Sequence, residues 1–269
     1  MQLAPLALVL ALLLPRAAMA QFAWDVMPPT VRGASLGGAV VFSGQAPSLS
    51  LANPAAAGWV SGADAGWRRT PGDGTYAWSS VEGGGAVLSL RHQSGPIVPT
   101  ALALGLSTAK EIFSVDVGVS VSYVEQTTGS SPERSARLGV GVLRRLGPVD
   151  IGASVLGLSI PSDSGLPERA TWRVNASTRS VEVGPLDLLF AGRLQGVDGE
   201  LQGGSGFQIA YWPVVGRTFR VLVGHGHDPF TEEVAVSLGA SVTLDALTLE
   251  WSALDSESAV LHSFGIRWR

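Results

Sequence analysis

Cysteine is absent from the 269 residues, which excludes disulfide staples and thiolate metal sites. Lysine occurs once, at Lys110, and charged residues make up only 15% of the chain, against roughly 25% in an ordinary water-soluble domain. Part of this surface is therefore built to face something other than water. The net charge of -4 is mild, so nothing calls for a polyanionic partner, nucleic acid included. Past residue 20, every apolar stretch is cut by Gly, Ser or a charge well before the roughly 20 residues a membrane helix needs. If the chain enters a bilayer, it does so as strands. No repeat of solenoid or propeller length is visible, and no phosphate-binding glycine loop stands between a strand and a helix.

What is present is apolar and glycine-rich: 46% hydrophobic residues and 34 glycines, a composition suited to turns and close-packed strands rather than helices. The first 20 residues read as an export signal, with an apolar stretch from Leu3 to Leu14 and the small-x-small cleavage pattern Ala18-Met19-Ala20. Beyond them, a period of two dominates. Val115, Val117, Val119, Val121 and Tyr123 form one face of a strand while Asp116, Gly118, Ser120 and Ser122 form the other. The same alternation returns in Leu102 to Leu106, Trp172 to Ala176, Leu186 to Phe190, Phe207 to Tyr211, Phe219 to Val223, Val234 to Val242 and Leu247 to Trp251. Turn signals separate the runs: Gly147-Pro148, Gly184-Pro185, Asp198-Gly199 and Asp228-Pro229.

Alternation alone does not say whether the apolar face meets a protein core or lipid, since a soluble periplasmic β-sandwich that binds a ligand gives the same arithmetic. The opposite face discriminates better. It is rich in Gly, Ala and Ser with scattered charges, a mixture suited to a barrel lumen and poor as a water-facing exterior. Trp172, Trp212, Trp251 and Trp268 near likely strand ends fit an interfacial girdle. The reading is an all-β chain forming one antiparallel transmembrane barrel of about 14 strands, 12 being the alternative, at about 10 residues per strand. The final run, Val260 to Trp268, resembles the C-terminal strand by which outer-membrane barrels are recognised, although the chain finishes on Arg269.

A sharper resemblance lies near the start. Arg32-Gly33-Ala34-Ser35-Leu36-Gly37-Gly38-Ala39, followed by Leu51-Ala52-Asn53-Pro54-Ala55, resembles the opening of the FadL-like outer-membrane transporters and the related PorV/PorQ proteins. That resemblance implies residence in the cell outer membrane and a division into a signal at 1–20, a plug-like segment at 21–60 and a barrel at 61–269. It also implies outer-membrane lipid as a partner. One branch passes hydrophobic small molecules through a lateral opening, whereas the other serves protein secretion beside secretion-system proteins. A structural or adhesive barrel without transport is the remaining alternative. Asn53 and Pro54 carry the turn: proline fixes its own φ and holds Asn53 extended, and the Asn side chain can bond the backbone two residues on.

Residues capable of chemistry are few. Gly33 to Gly37 matches G-x-S-x-G, but a nucleophile elbow needs a buried strand before the serine and a helix after it, and no Ser/His/Asp set can be assembled around it. No enzyme is expected, and no cofactor. His225 and His227 share one strand face beside Asp228, the weak candidates for a metal pair. The adjacent Glu232 and Glu233 face opposite ways and suit neither paired-carboxylate catalysis nor a shared ion. Arg68-Arg69 and Arg144-Arg145, short basic pairs near strand ends, read as solvated rim charges, with contact to lipopolysaccharide phosphate as the alternative.

Overall fold

The computed structural model describes residues 27–70, 74–95, 100–128, 131–159, 170–197, 200–227, 233–257 and 259–269. The signal at 1–20 and the turns Asp198-Gly199 and Asp228-Pro229 lie outside them. The first described stretch forms a helix, α1 (Val31–Ser35), and three 3-10 turns, Phe42–Gly44, Pro47–Leu51 and Pro54–Gly58. Strands β1 (Ala63–Thr70), β2 (Gly74–Gly83), β3 (Ala86–Ser94), β4 (Thr100–Ile112) and β5 (Val115–Thr128) follow. Then come β6 (Ser131–Leu146), β7 (Val149–Ser159), β8 (Thr171–Thr178), β9 (Val181–Val183) and β10 (Leu186–Val197). The last are β11 (Glu200–Val214), β12 (Arg217–His227), β13 (Val234–Leu244), β14 (Leu247–Asp255) and β15 (Val260–Trp268).

Each strand pairs antiparallel with its sequence neighbour, and β15 returns to β1 with Ala63 opposite Trp268. The sheet thus closes on itself and leaves no edge. The short β9 is the continuation of β8, because both pair with β10. Ser177 faces Ala191 and Val181 faces Leu188, four steps on one side against three on the other, which is a bulge. The fifteen segments therefore make a closed barrel of fourteen strands.

Among the described residues, six connections are two-residue turns, at Gly84-Gly85, Phe113-Ser114, Gly147-Pro148, Gly184-Pro185, Val215-Gly216 and Asp245-Ala246, and these six lie at one end of the barrel. Most are chemically apt, with glycine at positive φ; Phe113 and Ser114 instead hold φ of 51° and 62° without that freedom.

The side chains settle which face meets what. Leu102, Leu104 and Leu106 are 47–49% exposed on the outside, whereas the alternating Ala101 and Ala103 are buried within. Val119, Val121 and Tyr123 likewise point outward. A water-soluble sandwich buries its branched side chains between two sheets; here they clothe the outside of a single cylinder and Ser, Arg, Gln and Gly line the inside. Such an exterior is built for hydrocarbon. Trp67 stacks with Phe264, and Trp251 with His262, on the outer face of adjoining strands. No described helix is long and apolar enough to cross a membrane.

Two outcomes follow. Leu104→Arg, which puts a cation on the apolar belt, is expected to destabilise the lipid-embedded barrel by about 2–4 kcal/mol, read as a lower midpoint of urea unfolding in vesicles. Replacing the Phe113-Ser114 turn by Asn-Gly is expected to raise that midpoint by relieving about 1 kcal/mol of left-handed strain.

Candidate functional site

Residues 27–62 occupy the interior, and three apolar contacts hold them there. Met27 and Val31 pack on Tyr76, Trp78, Ala101, Ala103 and Val124. Leu36, Ala39 and Val41 meet Leu189, Ala191 and Leu222. Val40, Phe42, Leu49 and the alanines from Ala52 to Ala57 join Val87 and Leu143. An apolar segment fits a polar lumen because the wall contributes apolar inward residues where the segment touches it and small ones elsewhere.

Asn53 is fully buried. Its Oδ1 accepts from the Ala55 amide at 3.0 Å, capping the turn that Pro54 begins, while its Nδ2 donates to the Val142 carbonyl at 3.0 Å and the Ala153 carbonyl at 3.4 Å. One amide group thus finishes the turn and ties it to the wall at β6 and β7. Ser154 Oγ adds a bond to the Ala52 carbonyl at 2.7 Å. Room for this comes from Gly141, where a Cβ would stand 2.0 Å from Asn53 Oδ1.

The opposite wall makes a closer approach. Gly37 has φ +65° and donates from its amide to Ser237 Oγ at 3.1 Å. A Cβ on Gly37 would lie 2.2 Å from the His225 carbonyl oxygen, and Cβ atoms on Gly204, Gly224 and Gly226 would strike Gly37 backbone at 2.0–2.5 Å. The interior segment and the strands β11 and β12 therefore touch backbone to backbone. On the outer side of this seam stand Gly203, Ser205 and, across from Ser205, Gly192 and His225. The inner face of the wall there is glycine, and the outer face carries small residues beside His225. Directly behind it lies a small cavity, mostly apolar in surface, lined by Pro28, Ala34, Gly37, Leu254 and Leu261 with Arg68 and Arg193 at its edge.

At the end with two-residue turns, Trp59 closes the interior segment. Its Nε1 donates to Asp116 at 2.7 Å, Arg145 lies 4.1 Å over its ring, and Phe42 meets it edge-on.

The remaining sequence candidates fall elsewhere. His225 and His227 do share a face, the outer one of β12; His227 Nδ1 lies 3.0 Å from the Gly203 carbonyl. Among the described residues no three His, Cys, Asp or Glu side chains gather as metal ligands, and Asp228 is not among those residues. Ser35 sits on α1 with its Oγ donating to the Val31 carbonyl, and no buried strand precedes it. Arg68 and Arg69 are not a rim pair: Arg68 is 4% exposed inside the barrel, bonded to Ser263 Oγ and the Pro28 carbonyl, and only Arg69 faces out. Arg144 faces outward and Arg145 inward, over Trp59. Of the four tryptophans expected in a girdle, Trp268 ends its strand, Trp212 stands two residues before the end of β11, Trp172 is the second residue of β8, and Trp251 stands mid-strand.

The glycines of β11 and β12 were missed by the sequence reading. Their signal is same-face glycine at both 204 and 206 and again at 224 and 226, which marks close approach of another backbone.

These features define a membrane-type fourteen-stranded β-barrel with an occupied lumen. Among solved structures, the CymD monoaromatic hydrocarbon channel is similar, with a TM-score of 0.58, 11% identity, and coverage of 92% of this chain and 98% of that one. A mutant of Rh. blastica porin aligns at TM-score 0.39 and 12% identity over 77% of this chain and 97% of that one. CdiB from Escherichia coli aligns at 0.40 and 12% over 76% and 56% respectively. At such identity the likeness to CymD concerns the fold. No family model and no curated protein matches the sequence.

Asn53→Ala removes the cap and both wall bonds, and is expected to loosen the interior segment by about 1–3 kcal/mol. Hydrogen exchange should then speed up across residues 47–58 and stay slow in the strands; unchanged exchange at 47–58 would contradict the anchoring role.

Proposed function

We propose that this chain is an outer-membrane channel of the FadL-like kind, passing small hydrophobic compounds, with residues 21–60 as its plug, 61–269 as its barrel and 1–20 as the export signal. Asn53 and Pro54 form the plug turn that holds it in place. The carrying observation is the seam of β11 and β12: glycine on its inner face, small residues beside His225 on its outer face, sealed from within by Gly37, and backed by a small, mostly apolar cavity with Arg68 and Arg193 at its edge. The likeness to a barrel described as a monoaromatic hydrocarbon channel supports the same reading. The end that carries the six described two-residue turns faces the periplasm, and the end that carries the longest connections faces the exterior, the usual orientation of such barrels. The protein acts by conduction and not by catalysis.

Uptake of a radiolabelled monoaromatic hydrocarbon by cells with and without the full chain tests the reading. Expression is expected to accelerate uptake, and Ser205→Leu, which fills the outer side of the seam without touching the plug, is expected to return it toward the level of cells lacking the chain. Uptake that ignores expression would overturn the proposal; if secretion-system proteins then co-purified with the barrel, the secretion branch of the same resemblance would take its place.

A further inference from the structure

The interior segment is tied to the wall by two kinds of contact. Gly37 and Asn53 are held deep inside, through backbone approach and buried hydrogen bonds. Trp59, the last aromatic of the segment before β1, is held instead by charged side chains at the end with two-residue turns. Asp116, near the start of β5, accepts its Nε1–H, and Arg145, two residues before Gly147, covers its ring with a side chain 60% exposed to water.

Arg145 has a second claimant. Asp150, directly opposite it on β7, is 1% exposed, and its Oδ1 accepts no hydrogen bond among the described residues. Two guanidiniums stand near and stop short, Arg179 Nε at 3.7 Å and Arg145 Nε at 4.0 Å, both beyond bonding distance. Ser177, opposite Asp150 on β8, leaves its Oγ unpaired as well, so that neighbour does not serve the oxygen either. A buried carboxylate oxygen in this state costs free energy that a closer cation would recover. Arg145 withholds the bond while its Cζ rests 4.1 Å over the Trp59 ring. Drawing it in to about 2.9 Å from Asp150 would take its charge off that ring. One guanidinium thus faces two demands, and here it meets only the first.

We propose that Arg145 is a two-position latch on the interior segment. Over Trp59 it holds this end of the lumen shut; drawn onto Asp150 it lets Trp59 and the residues just before it lift away, with Asn53, bonded to β6 and β7, as the fixed point behind them. The open position gives a conducted compound a way out toward the two-residue turns, separate from the seam at β11 and β12. That use rests on the channel reading, whereas the latch itself does not.

The chain has no cysteine, so one introduced thiol reports alone. Ala57, 2% exposed in the apolar cluster against which Trp59 packs, is replaced by Cys. The full chain is purified in an uncharged detergent, shown to be folded by heat-modifiable migration, and treated with a water-soluble maleimide. Slow modification is expected in this background. Arg145→Ala, which frees the ring, is expected to speed it about fivefold. Asp150→Asn, which removes the competing claim on Arg145, is expected to slow it about twofold or more. Opposite signs are the mark of a latch, because a change that merely loosened the wall would speed modification in both variants. Should Arg145→Ala not migrate as a folded barrel, Arg145→Gln takes its place. Modification that ignores the loss of Arg145 overturns the proposal, and so does Asp150→Asn that leaves it unchanged or speeds it. The measurement needs no conduction, so uptake that ignored expression would defeat the channel reading and leave the latch standing.

Discussion

Hydrocarbon offers no partner to a peptide group, and that single constraint organises the molecule. Each strand must find bonds on both sides, so the sheet has to meet itself, and Ala63 to Arg68 pair with Trp268 to Ser263 to complete the ring. Closure then creates an inside. Fourteen strands enclose more space than their inward side chains fill, and here that space is taken by the N-terminal segment, whose alanines and glycines come close enough to the wall for backbone to touch backbone. The apolar belt, the small inward residues and the occupied lumen are successive consequences of one demand for hydrogen bonds.

The interior is divided by chemistry. Near β11 and β12 the wall is glycine and the adjoining cavity mostly apolar. Near β3 to β6 serine and arginine share a hollow with Leu51, Leu138 and Leu156, beside Gly105. The segment between them is tied to both halves, at Gly37 on one side and at Asn53 on the other. A movement of that segment would therefore act on both environments together.

Much of this was legible in the residue order. Val115 to Tyr123 displays its two faces directly, and the poverty of lysine chooses lipid over water for the apolar one. The number of strands was harder to read, because they run from 8 to 16 residues and one is broken by a bulge after Thr178. Asn53-Pro54 announced a turn by local chemistry alone. Its partners Val142 and Ala153 lie 89 and 100 positions away, a separation no local pattern encodes. The basic doublet at 68 and 69 was misread although the rule needed was at hand: adjacent residues of a strand face opposite ways, so the pair could not share a rim.

The ring is joined where the first strand meets the last, some two hundred residues apart in sequence. During biogenesis the cylinder is consequently an open, curved ribbon until its final strand arrives, and the segment that ends up within it is translated before any of its walls. The contacts that the interior segment makes at β11 and β12, such as Gly37 against His225, join residues 188 positions apart, so they can form only once most of the chain is in place.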